Sequence, residues 1–158
     1  MLSRIISGGQ TGADQAAWRT AKAFGLPTGG SMPRGFVTED GLRPEFAEQF
    51  GAVQMATESY PARTEQNVLD ADATVWFGET TTAGSNATLG ACQRHGKPCF
   101  PVYPTALFQP SHMAAWLTQY QVRILNVAGN RESDEPGIGE QVEQFLEQVL
   151  ELLGHRRV

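Results

Sequence analysis

The stretch Ile5-Ile6-Ser7-Gly8-Gly9-Gln10-Thr11-Gly12-Ala13-Asp14 decides how the rest of the chain is read. Leu2 to Ile6 is a short apolar run with the composition of a buried strand. From Thr11 onward the apolar residues recur at helical spacing, with Ala13, Ala16, Ala17, Ala21 and Phe24 on one face and Gly25 as the stop. A strand that turns into a helix through two glycines, an amide and a hydroxyl gathers the free N–H groups of the first helical turn in one place. Those donors and the positive end of the helix dipole favour an anion such as phosphate. Gly8 and Gly9 let the backbone approach a ligand with no Cβ in the way. The stretch is neither G-x-G-x-x-G nor a P-loop with its lysine, so it points to an oxyanion site and leaves the chemistry open. A plain strand–helix turn would need the same glycines.

Outward from this loop, strands and helices alternate. Leu26 to Gly41, with four glycines and two prolines, is too broken for a long element. Gly51 to Thr57 reads as a short strand, and Pro61 to Asp70 as a helix capped by Ser59. Ala73 to Phe77 is a buried strand. Thr80 to Asn86 is a polar turn, leading into a helix from Ala87 to His95 that Gly96 closes. Cys99 to Tyr103 is a strand that Pro101 pushes towards a sheet edge. Ser111 to Tyr120 reads as a helix and Val122 to Val127 as a strand. Ile138, Val142, Phe145, Leu146, Val149 and Leu150 mark a last helix. Strands separated by helices predict an α/β fold, a mostly parallel twisted sheet with helices on both faces. Such sheets bind ligands beyond the carboxyl ends of their strands. The loops at Gly8–Thr11 and Thr80–Asn86 therefore share one rim.

Composition narrows the class. At 158 residues, 41% hydrophobic and 18% charged, the chain suits one globular domain over residues 1–158. A net charge of -5 argues against nucleic acid as a partner, because a binder of that kind shows a basic stripe. No run of about 18 apolar residues exists to span a membrane, and no signal-peptide pattern opens the chain. Cys92 and Cys99 are too few for a disulfide framework and lack metal-ligand companions. His95, His112 and His155 lie at helix ends or in the tail, which argues against a catalytic or metal histidine. A reduced, cytoplasmic location is the expectation.

The second loop, Gly78-Glu79-Thr80-Thr81-Thr82-Ala83-Gly84-Ser85-Asn86-Ala87-Thr88, repeats the logic of the first with hydroxyls, an amide and small residues. Two neighbouring helix N-termini can grip one anionic ligand. Alternatively Ser85 or Asn86 acts only as a helix cap.

Ile6 to Ala17 of the first loop resembles the signature of the molybdenum cofactor carrier family. That family lies in a Rossmann-like superfamily with the lysine-decarboxylase-like proteins and the cytokinin-activating phosphoribohydrolases. Four more stretches match in order: Met32-Pro33-Arg34-Gly35 with Glu39-Asp40-Gly41, Arg63 to Val68, His95 to Cys99, and Leu125 to Ser133 followed by Pro136-Gly137-Ile138. The resemblance implies a Rossmann-like three-layer sandwich that forms homo-oligomers, dimer or tetramer. It implies a small anionic ligand: molybdenum cofactor as cargo, with phosphate or molybdate as simpler oxyanions, and molybdoenzymes as recipients. The matching positions are Gly8, Gly9, Gln10 and Thr11 in the first loop and Gly84 and Ser85 in the second.

Arg34 adds a positive charge on a glycine-rich loop that can fold over the rim, which an acidic chain needs in order to hold an anion. Asp14, in the first turn of its helix, either complements the helix dipole or contacts a ligand amine. Arg63, Thr64 and Asn67 share a helix start and can line the pocket floor or meet another subunit. Asn86 and Thr88 complete the candidate set. Trp18, Trp76 and Trp116 read as core or interface.

The phosphoribohydrolases carry P-G-G-x-G-T-x-x-E, and aligning Gly84-Ser85 on the G-T puts Thr88 where the catalytic glutamate belongs. A hydroxyl cannot serve as a general base at neutral pH without a partner. No Ser-His-Asp or Cys-His arrangement stands in its place. The expectation is a protein that binds, protects and delivers molybdenum cofactor without turnover. The alternatives are a nucleotide or ADP-ribose-derivative sensor and, behind it, a nucleotide monophosphate phosphoribohydrolase.

Overall fold

In the computed structural model, which describes residues 1–158, the first apolar run forms β1 (Arg4–Ile6) and its partner helix α1 (Ala13–Ala23). Then follow β2 (Thr28–Met32), a small hairpin of β3 (Val37–Thr38) and β4 (Gly41–Leu42), α2 (Phe46–Phe50) and β5 (Ala52–Gln54). The second half adds α3 (Tyr60–Asp70), β6 (Ala73–Phe77), α4 (Ala83–His95), β7 (Cys99–Val102), α5 (Pro110–Gln119), β8 (Ile124–Gly129) and α6 (Ile138–Leu152). Six strands pair in parallel in the order β5-β2-β1-β8-β6-β7. β1 leads through α1 to β2 on one side, whereas β6 leads through α4 to β7 on the other. The switch in strand order therefore lies at the carboxyl ends of β1, β8 and β6, where such folds open a crevice. This is a Rossmann-like three-layer arrangement. No helix is long and apolar enough to cross a membrane.

The two sheet faces differ in chemistry because strand side chains alternate. Ala73, Val75 and Phe77 of β6, Leu125 and Val127 of β8, and Ile5 of β1 join α1, α5 and α6 in one apolar cluster of 24 buried residues. The alternate residues, Thr74 and Trp76, Asn126 and Ala128, lie on the face covered by α3 and α4. The buried positions of those helices are mostly small or polar: Asn67 and Val68 on α3; Ser85, Thr88, Ala91 and Cys92 on α4. Only Val68, Ala91 and Cys92, with Cys99 against them, form an apolar cluster there. Short side chains cannot fill the layer, and a cavity remains. A third cluster lies under the hairpin and α2, where Trp18 stacks on Phe50 (4.8 Å between centroids) and donates from Nε1 to the Gly29 carbonyl at 2.8 Å. Trp116 is half-buried beside Phe100 and Tyr120.

The structure corrects the sequence reading at three places. α4 starts at Ala83 rather than Ala87, because Thr82 Oγ1 accepts the Ser85 amide at 3.1 Å and caps the helix. Ser85 and Asn86 are thus helical residues and not turn residues. The broken segment after Leu26 contains β2, whose pairing with β1 and β5 outweighs its glycines. β8 runs two residues later than the apolar pattern indicates, since Asp72 Oδ2 accepts the Arg123 and Ile124 amides at 2.9 and 2.8 Å and sets the register. The Ser59 cap on α3, strand β6 and the edge position of β7 fall where the pattern predicts.

Candidate functional site

A cavity of about 290 Å³ opens at the switch point, between the starts of α3 and α4 and the loop after β8. Gln10, Arg63, Thr82, Gly84, Asn130 and Arg131 are among its walls. Beneath it a smaller compartment of about 60 Å³ reaches the sheet, bounded by Gly8, Asn67, Thr88, Asn126 and Ala128. Asp14, Arg63, Thr64, Trp76, Gly84 and Gly129 border both.

The first loop is not a bare amide cradle. The Gln10 amide donates to Asp14 Oδ2 at 3.1 Å, the Thr11 amide to Gln10 Oε1 at 3.0 Å, and the Ala13 amide to the Asn130 carbonyl at 3.3 Å. The Asp14 and Gln10 side chains and the Asn130 carbonyl thus take donors that local sequence offers to an anion. Gly12, at φ +77°, is required here, since a Cβ would lie 2.6 Å from the Asn130 carbonyl oxygen. Thr11 Oγ1 donates to Glu39 and accepts the Glu132 amide at 3.2 Å, and Gly9 accepts Gln15 Nε2 at 3.1 Å through its carbonyl. Neither Gly9 nor Thr11 borders the cavity.

The second helix start is open. Thr82 uses its hydroxyl and carbonyl on the Ser85 and Asn86 amides, while the Ala83 and Gly84 amides meet no protein acceptor. Both residues border the larger compartment. Ser85 is fully buried and donates its hydroxyl to the Thr82 carbonyl at 3.0 Å, and Asn86 is exposed on α4; neither borders the cavity. Thr82 also donates to Asn130 Oδ1 at 3.0 Å, and Asn130 Nδ2 donates to Glu135 Oε1 at 2.9 Å. This ties the start of α4 to the loop after β8.

The cation of the site is Arg63. Its Nη1 lies 3.1 Å from Asp14 Oδ2, with side chains 11% and 7% exposed. The guanidinium rests directly against Gly8, where a Cβ would come within 1.8 Å of Nη1. Burial pushes the Asp14 carboxyl above the ordinary carboxylate range, against the opposing pull of Arg63 and the Gln10 amide. Arg34 stands elsewhere: it pairs with Glu58 at 3.2 Å with 59% of its side chain exposed, and it borders neither compartment. Its amide donates to the Thr57 carbonyl at 2.7 Å and its Nη1 to the Ala56 carbonyl at 3.4 Å, so the charge expected over the rim is held away from it. Arg131 does reach the cavity, but pairs with Asp134 at 3.2 Å.

Of the other expected residues, Gly8, Gln10, Asp14, Asn67, Gly84 and Thr88 border the cavity. Asn67 is committed to the fold, because its side chain accepts from the Ser31 amide (2.7 Å) and donates to the Ser31 carbonyl (3.0 Å). Trp76 is 2% exposed, yet it walls both compartments rather than sitting in the main core. Asn126 and Asn130 were not among the expected residues. The signal for Asn126 is visible in hindsight as an amide interrupting the apolar run Leu125-Asn126-Val127. It is 3% exposed and its Oδ1 has no partner, as is true of Arg63 Nε. Leaving such an atom unpaired costs about 1–3 kcal/mol.

Glu39 closes the rim from the hairpin, accepting from the hydroxyls of Thr11 and Ser133 and from the Ser133 amide at 3.3 Å. Burial acts most strongly to raise its carboxyl, but the bonds from Ser133 and Thr11 and the charge of Arg131 together hold it below the ordinary range.

Comparison with known proteins agrees with this architecture. A crystal structure described as "Putative molybdenum carrier protein" from Syntrophus aciditrophicus SB is 34% identical to the chain, with a TM-score of 0.86. The likeness covers 94% of this chain and 95% of that one. None of the curated proteins matches. Residues 5–150, which include every element that borders the cavity, match the model of the circularly permutated YpsA SLOG family, and the chain belongs to that family.

Proposed function

We propose that the chain binds molybdenum cofactor in the cavity between α3 and α4 and carries it without chemical turnover. The observation that carries this reading is one cavity combining the unpaired α4 amides with the buried Arg63 side chain. Oxyanions suit a helix N-terminus, and the cofactor implied by the family resemblance offers a phosphate and a molybdenum-oxo group. A cavity of about 290 Å³ sits at the small end of ligand pockets and suits one pterin-sized molecule. The likeness to a protein named as a molybdenum carrier supports the same cargo. From α4, Thr88 brings a hydroxyl to the inner compartment where the hydrolase motif has a carboxylate, which favours holding over cleaving. Assembly into a homo-oligomer and delivery to molybdoenzymes belong to the same proposal.

The test is retention of cargo. Protein purified from cells that make the cofactor is denatured and oxidised, and the supernatant is assayed for pterin fluorescence and for molybdenum by mass spectrometry. Stoichiometric pterin with molybdenum is expected. Protein recovered without either, and unable to take up cofactor added afterwards, refutes the reading. A retained nucleotide in place of pterin transfers the cavity to nucleotide binding.

A further inference from the structure

Buried polar atoms in folded proteins are almost always paired, so each exception asks for an explanation. Two exceptions belong to residues of the compartment beneath the main cavity. Asn126 stands in mid-β8 between Leu125 and Val127, both fully buried in the apolar core, and its own side chain lies on the opposite face. Its Nδ2 donates to Thr74 Oγ1 at 3.2 Å, and its Oδ1 has no partner. Arg63 spends Nη1 on Asp14, and its Nε has no partner. Thr88, 2% exposed, borders the same compartment, and its hydroxyl makes no hydrogen bond within the protein. Two residues that border a space of about 60 Å³ therefore carry one unpaired acceptor and one unpaired donor.

The chemistry of this space suits a donor–acceptor edge better than the anionic end of a ligand. An ionised phosphate can accept from Arg63 Nε but has no hydrogen to give to Asn126 Oδ1, which would stay unpaired. The volume equals roughly two water molecules, enough for an amino group and the ring atom beside it. A ring edge that sets an N–H donor next to a nitrogen or carbonyl acceptor satisfies both unpaired atoms. Trp76, which walls both compartments, supplies an apolar side against which such a ring can lie.

We infer that the inner compartment receives the amino-bearing, hydrogen-bonding edge of a nitrogen heterocycle, leaving the ligand's anionic end in the outer compartment at the α4 N-terminus. This rests on the cavity being the ligand site, as proposed above. Pterins and guanine present the same 2-amino-4-oxo edge, so the chemistry is shared and the source is a matter for experiment.

The test titrates purified protein with 2-amino-4-oxopteridine and with guanosine monophosphate, each beside its analogue lacking the amino group, 4-oxopteridine and inosine monophosphate. Fluorescence and calorimetry read the affinities for the parent, Asn126→Leu and Thr88→Val. The parent is expected to prefer an amino form by about tenfold or more. Asn126→Leu abolishes that preference while its affinity for inorganic phosphate stays unchanged. Its melting temperature is read beside the parent's to show that it folds, since removing the unpaired Oδ1 and losing the bond to buried Thr74 Oγ1 act in opposite directions. Thr88→Val, which keeps the shape of the helix face, reduces the preference without removing it. Preference in the pterin pair supports both the edge assignment and the cofactor reading. Preference in the guanine pair alone supports the edge assignment and removes the cofactor reading. Equal affinity within both pairs, or a preference that survives Asn126→Leu, overturns the inference.

Discussion

Replacing Arg63 with methionine tests whether the site is built around a buried charge pair. The substitution keeps most of the volume of the stem and deletes the guanidinium that lies 3.1 Å from Asp14 Oδ2. Both side chains are nearly enclosed, so the loss leaves a carboxylate buried beside polar atoms it cannot all use. Breaking one half of such a pair costs about 3–5 kcal/mol. In a chain of this length each kcal/mol moves Tm by about 2–4 °C, which predicts a fall of about 6–20 °C. The sign of the pH dependence follows from Asp14. Burial already holds its folded-state carboxyl above the ordinary range, and Arg63 opposes that rise. Without Arg63 the folded value climbs further while the unfolded value stays. Between the two the folded chain binds more protons than the unfolded chain, so stability falls as pH rises through that window. The deficit of Arg63→Met against the parent is therefore larger at an alkaline pH than at an acid one. Adding Asp14→Asn removes the stranded charge and keeps an acceptor for the Gln10 amide, so the double variant melts nearer the parent. Differential scanning calorimetry of all three proteins at both pH values measures this. An equal deficit at the two pH values, with no recovery in the double variant, would show that the pair is not a buried charge unit.

Three further outcomes are expected. Arg34→Ala removes an exposed pair and shifts stability by no more than about 1 kcal/mol; by calorimetry it leaves phosphate and molybdate affinity within about twofold, whereas Arg63→Met loses about tenfold or more. Gly8→Ala places a Cβ 1.8 Å from Arg63 Nη1, so urea unfolding should show a loss of about 1–3 kcal/mol and anion binding should weaken with it. Glu39 is held below the ordinary carboxylate range, so its contribution is present above its unfolded value and lost as pH falls through the folded one. Glu39→Gln should therefore flatten the acid limb of the stability curve followed by circular dichroism, and an unchanged limb would remove Glu39 as its source.

The alternation of strand and helix was legible in the chain because its causes are local. The period of apolar residues separates Ala73-Thr74-Val75-Trp76-Phe77 from the helix after Ala13, Ser59 caps the helix that follows it, and Pro101 falls on an edge strand. The rim was legible too, since strand–helix loops of a parallel sheet share one side. What tertiary structure alone decided is which of the rim's groups are free. The Gln10 and Thr11 amides look available in sequence, and in the fold Asp14 and Gln10 side chains occupy them. Arg34 and Arg63 are indistinguishable as residues, and only the packing of α3 on the first loop brings Arg63 to Asp14 across 49 positions of chain. Asn67 reads as a ligand candidate until it bonds Ser31, 36 residues away. The cavity itself arises because the small and polar faces of β6 and β8 meet the small and polar faces of α3 and α4. A local pattern states what a residue can donate, accept or bury. Whether a partner from a distant segment has already claimed it depends on three-dimensional pairing, and at this site those pairings leave Arg63 Nε, Asn126 Oδ1 and the first α4 amides without a partner in the protein.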